Sequence, residues 1–222
     1  RLFLYQHLDK LRSLLHHLYT MDVYMSVAAV ATEKGYVFPE AIDRELHSIH
    51  LENVYHPQLE KPIGNNLSIT PGSNVLFLTG ANMAGKSTFM NSLGIALFLA
   101  HMGFPVAASN MQFSVRDGMF TTINLSDNLN MGYSHFYAEV LRVKKVAEQL
   151  NANRNIFVIV DELFRGTNVK DAYEATVAIT GAFARKTNCM FVVSTHIMEA
   201  GDTLKPTHAN INFMYLPTKM DQ

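Results

Sequence analysis

A chain of 222 residues, 48% apolar and 17% charged, is long enough for one large core or two unequal pieces and is not composed like a disordered protein. Its formal net charge of −1 gives no overall attraction for nucleic-acid phosphates, so any grip on DNA must be local or lie outside this segment. One cysteine, Cys189, excludes an internal disulfide framework, no signal-peptide pattern is present, and the apolar stretch at 93–100 is far short of the ~20 residues that span a bilayer, so a soluble, cytoplasmic chain with no membrane partner is expected.

Leu4, Leu8, Leu11, Leu15 and Leu18 alternate spacings of four and three, continuing loosely through Met21, Met25 and Ala28, which predicts a helix over the first thirty-odd residues. Its stripe is expected to pack into a core, partly against chain that precedes this segment. Gly35 and Pro39 end it. From about residue 49 the pattern changes to short apolar runs, at 47–51, 66–70, 75–79, 119–124, 156–160, 189–194 and 211–216, with helical segments after three of them. Strands alternating with helices predict an α/β fold with a mixed, largely parallel sheet whose ligand sits at the strand C-terminal ends. Cys189 falls in one such run and reads as a buried strand residue. Arg142, Lys144 and Lys145 read as a solvated helix face. There is no repeat and no low-complexity segment.

Residues 80–87, Gly80-Ala81-Asn82-Met83-Ala84-Gly85-Lys86-Ser87, fit the loop G-x-x-x-x-G-K-[ST] between the 75–79 strand and a helix marked by Phe89, Leu93, Ala96, Leu97 and Ala100. The glycines let backbone N–H groups turn toward phosphates, the helix N-terminus adds its positive dipole end, Lys86 reaches the β- and γ-phosphates, and Ser87 holds Mg²⁺. The loop therefore predicts a bound nucleoside triphosphate. The 156–160 run is too short and β-branched for a helix and ends in Asp161-Glu162. Asp161 is placed to complete the Mg²⁺ shell opposite Ser87, and Glu162 to orient and deprotonate the attacking water. A strand end bearing two solvated carboxylates is the simpler alternative.

Taken together, T-G-A-N-M-A-G-K-S-T at 79–88, Y-S-H-F at 133–136, D-E-L-F-R-G-T-N at 161–168 and S-T-H at 194–196 resemble the MutS family of mismatch-repair ATPases. His56-Pro57 looks like that family's H-P pair, and residues 103–108 resemble its G-x-x-V-P-A. Met21-Asp22-Val23, Ala28 to Ala31, Gly35-Tyr36 and Pro39 resemble its last core helix leading into the ATPase. The resemblance implies an ABC-like P-loop NTPase at 46–222, preceded at 1–45 by the end of a helical core domain. It implies that residues 80–88, including Thr88, contact ATP or ADP together with His56, and that His196 senses the γ-phosphate. It also implies that Ser134, at the start of a helix over 135–150, meets a nucleotide held by a partner subunit, and that Arg165 to Asn168 cross the dimer interface. DNA is expected to be engaged by domains missing from this chain.

Helix capping is the alternative role for Ser134, and a plain strand-end hydrogen bond the alternative for His196. Four positions depart from the family pattern: Ala81 and Ala84 in the loop, His135 where Thr is usual, and Phe164 where Gly precedes the Arg. The last two bear on the contact in trans. Phe38-Pro39-Glu40 matches the mismatch-reading F-x-E by letters only and is read as a turn after a helix. A nucleotide-gated scaffold with little hydrolysis, or an ABC-type ATPase of another system, remains the rival reading; no L-S-G-G-Q is present for the latter.

Overall fold

The computed structural model describes residues 7–81, 84–123, 135–152, 154–164 and 167–216. Leu8–Lys34 forms the first helix, α1, and Gly35 stops it in the left-handed region at φ 67°, donating its N–H to Ala31 O. The stripe expected to pack is uncovered. Leu8, Leu15 and Leu18 are 39%, 47% and 52% exposed, and among the described residues of α1 only Ala31 is buried; Leu4 lies outside the described residues.

The sequence predicts one sheet; the structure has two. Strands β1 (Glu40–Ile42), β2 (Ile49–Val54), β3 (Asn65–Ile69) and β5 (Asn110–Ser114) form a four-stranded sheet in the order β1-β5-β2-β3, parallel only between β1 and β5. Strands β4 (Val75–Gly80), β6 (Gly118–Thr122), β7 (Ile156–Asp161), β8 (Met190–Ser194) and β9 (Ile211–Leu216) form an all-parallel sheet in the order β6-β7-β8-β4-β9. The division follows from burial. Ile49 and Leu51, Leu67 and Ile69, and Met111 and Phe113 alternate with less buried neighbours, as in an antiparallel sheet covered on one face, whereas β4, β7 and β8 are apolar on both faces, as a sheet between two layers must be. β1 and β5 have no counterpart among the predicted strands. Glu40 opens β1, where its Oε2 accepts from Gln112 Nε2, so the segment read as a turn after α1 is in part sheet.

Helix α2 (Lys86–His101) fills the space between the sheets, and this explains why it is apolar nearly all round. Phe89, Leu93 and Leu97 join Ile49 and Leu67 on one side and Leu76, Leu78 and Ile159 on the other in one continuous core. Period-2 alternation sends Val75, Phe77, Val158, Val160, Phe191 and Val193 to the opposite face of the parallel sheet, beneath helices α3 (His135–Asn151), α4 (Val169–Ala184) and α5 (Met198–Leu204). Phe183 of α4 stacks on Phe191 with ring centroids 4.3 Å apart. None of the described helices is long and apolar enough to cross a membrane.

Candidate functional site

β8 lies between β4 and β7, and the registers place Leu78, Ser194 and Asp161 in one row across the sheet. The C-terminal ends of three strands therefore come level, and the loop after β4 opens on that row. Its geometry depends on glycine at both ends. At Gly80 (φ 149°) an added Cβ would lie 2.5 Å from Leu216 O on the neighbouring strand, and Gly85 (φ 86°) turns the chain into α2. Gly80→Ala is accordingly expected to cost about 1–3 kcal/mol of stability, read as a lower denaturant midpoint.

Lys86, the first residue of α2, is 6% exposed, and its ammonium donates to Gly80 O at 2.6 Å and Ala81 O at 3.1 Å. A buried cation whose hydrogen-bond acceptors among the described residues are loop carbonyls can draw an anion to the helix N-terminus. Ser87 follows on the same first turn, and its hydroxyl donates to Asp161 Oδ2 at 2.9 Å. Asp161 has the parity of Phe157 and Ile159, which face α2, so the strand pattern aims its carboxylate at the loop. Two hard oxygens in contact beside the first turn of α2 form a donor set that fits Mg²⁺, which takes one or two protein oxygens and completes its shell with water and phosphate.

Glu162 leaves the strand in the left-handed region at φ 49°, with its N–H bonded to Ser194 O at 3.0 Å. Phe164, two residues on, also has a positive φ, 62°, although it is 3% exposed and its ring is part of the core beneath α4. Two non-glycine residues in this region within three positions represent stored backbone strain at the carboxylate that would do chemistry. The departure noted at Phe164 thus falls on a position whose backbone suits glycine. On the α3 side of the sheet, Phe120, Val143, Val146, Val158 and Val160 line an apolar pocket that reaches Glu162, with Arg142 at its edge. Arg142 is half-buried, unlike Lys144 and Lys145, so the basic cluster is solvated in two of its three members.

The remaining predicted residues stand on several elements. Thr88 is exposed on the first turn of α2. His196 is exposed just past β8, beside Thr195, whose N–H bonds to Leu78 O. His56 sits in the turn after β2, in the other sheet's connection, its Nδ1 accepting from Gln58 N at 3.3 Å. Asn168 caps α4 by accepting from Asp171 N at 2.9 Å. Asn82, Met83, Ser134, Arg165 and Gly166 lie outside the described residues. Sequence reasoning assigned no role to Ser194, whose hydroxyl is fully buried, level with Asp161 on the α2 face, and without a hydrogen-bond partner among the described residues. The signal available was its odd position, polar at the end of an apolar run.

Residues 76–221 match the family model described as MutS domain V. The chain belongs to the MutS family. It is 31% identical over 213 residues to the DNA mismatch repair protein MutS of Fusobacterium nucleatum, covering 93% of this chain and 23% of that protein. It is 30% identical over 217 residues to human MutS protein homolog 4, covering 95% and 22%, and 31% identical over 206 residues to MutS of Clostridioides difficile, covering 90% and 21%. The chain spans less than a quarter of the length of these MutS relatives.

Proposed function

We propose that this chain is the ATPase domain of a MutS-type protein, a P-loop NTPase that binds Mg-ATP and hydrolyses it. The Ser87–Asp161 contact at 2.9 Å, beside the buried Lys86 ammonium, carries this reading. In it, backbone N–H groups of residues 80–88 and Lys86 hold the phosphates, Ser87 and Asp161 hold Mg²⁺, and Glu162 orients and deprotonates the attacking water. Mg²⁺, when bound, neutralises charge developing between the β- and γ-phosphates. His196, just past β8 between β4 and β7, senses the γ-phosphate, and His56, in the turn after β2, contacts the nucleotide.

Residues 1–45 end a preceding helical domain and 46–222 form the ATPase, with β1 reaching back across that division to pair with β5. The relatives, DNA mismatch repair proteins among them, support coupling of this chemistry to DNA through parts of the parent beyond this chain. The resemblance around Ser134 supports a site completed in trans by a second copy through the ATPase face.

Mixing two single variants tests that composite site. A Lys86→Ala chain with intact Ser134 is expected to stimulate a Ser134→Ala chain with an intact loop, and wild-type turnover per chain is expected to rise with concentration. Trans groups in phosphoryl transfer are worth up to several orders of magnitude, and a neutral hydroxyl at a helix end less than an arginine. Concentration-independent Mg-ATP hydrolysis, with no rescue where light scattering detects dimers, would point to a self-contained site. Tight binding without hydrolysis at any concentration would favour a nucleotide-gated scaffold.

A further inference from the structure

At the end of the parallel sheet opposite the phosphate loop, Arg116 is buried between β5 and β6 with 6% of its surface exposed. Its Nη1 donates to Asn188 O at 2.9 Å, while Nε and Nη2 are buried and meet no acceptor among the described residues. The carboxylate next in the chain is already committed. Asp117 Oδ2 accepts from Arg44 Nη2 at 2.7 Å and from Asn155 N at 2.8 Å. The ring that meets Arg116's own N–H is neutral in its hydrogen bonding: His101 Nε2 accepts that N–H at 2.9 Å and its Nδ1 is bonded to Leu97 O. His47 contributes a third buried nitrogen, Nδ1, likewise without a partner among the described residues. Burial, and next the Arg116 charge, hold the His47 pKa below its ordinary value, so the neutral ring is favoured beside the guanidinium.

We infer that Arg116 holds a small inorganic anion of chloride size through its Nε–H and Nη2–H, on the side of His47. Asp117 offsets part of the Arg116 charge from a distance, but its Oδ2 is bonded to Arg44 and Asn155, and two buried guanidinium donors left without an acceptor remain costly in a protein interior. Burial already brings the Arg116 pKa down to about 10. A water molecule satisfies two donors but leaves the charge, whereas an anion satisfies both. The carboxylate of another macromolecule is excluded because Arg116 is too deeply buried to be reached. His47 in the tautomer protonated at Nδ1 supplies a further donor. Arg44 and Asp117 compensate one another, and Glu45 is 3.9 Å from His47 Nε2, away from the idle Nδ1.

The site lies far from the proposed nucleotide chemistry, so it stands or falls separately from it. Thermal unfolding of this chain is compared in chloride and in gluconate at constant ionic strength, for wild type and Arg116→Met. Chloride at ten times its dissociation constant is expected to raise the wild-type midpoint by about 3–6 °C, and that of Arg116→Met by less than about 1 °C. In crystals grown with bromide, an anomalous peak is expected within hydrogen-bond distance of Nε and Nη2. An equal chloride response in the two proteins, or an ordered water only at the guanidinium, overturns the inference. Should Arg116→Met fail to fold, the bromide peak decides alone.

Discussion

Glu162→Gln is expected to keep the affinity of this chain for Mg-ATP within about twofold while lowering turnover by on the order of a hundredfold or more, the usual scale for loss of a general base. The asymmetry follows from what each state needs. In the proposed site the charge of ATP would be met by the loop N–H groups, by Lys86 and by the Mg²⁺ that Ser87 and Asp161 would hold, none of which the substitution touches. Only the transition state requires a deprotonated nucleophile, so the cost appears in the chemical step. The amide keeps the size of the side chain and the backbone bond from residue 162 to Ser194 O, so the left-handed geometry at this position is retained. Calorimetry for binding and single-turnover kinetics for hydrolysis separate the two quantities. Unchanged single-turnover rates in a clean preparation would remove Glu162 from the mechanism and leave the base to another group.

Lys86→Ala is expected to act on the other quantity. Charged hydrogen bonds contribute about 1.5–3 kcal/mol each, so losing the ammonium should raise the dissociation constant for Mg-ATP by roughly tenfold to more than a hundredfold. The folded state should tolerate the change, because Lys86 in the nucleotide-free chain is a buried cation whose desolvation offsets its two bonds to Gly80 O and Ala81 O. Calorimetric titration of a variant whose circular dichroism matches wild type is the measurement. A dissociation constant within about twofold of wild type, ~0.4 kcal/mol, would rule out the loop as the phosphate site.

The local geometry around the candidate site was legible in the residues because it is set within contiguous segments. Loop glycines, a lysine and a serine opening a helix, and two acids ending a β-branched run each have one local conformation that suits them, and in the structure Lys86 and Ser87 open α2 and the Ser87 hydroxyl reaches Asp161 at the end of β7. The α1 helix with its Gly35 stop, and most strands, follow from periodicity in the same way.

What the tertiary structure alone decided is which segments meet. Division into two sheets depends on pairings such as β1 with β5, seventy residues apart, and a three-residue strand carries too little pattern to announce itself. That α2 lies between the sheets, and that the α1 stripe is uncovered among the described residues, are facts about neighbours which an apolar period does not name. Ser194 became visible only when register set it beside Asp161, and Arg116 only when folding buried its Nε and Nη2 without an acceptor among the described residues. Backbone preference and apolar period are properties of a few consecutive residues. Burial, register and charge compensation are properties of contacts between distant ones, and these arise only when the chain closes on itself.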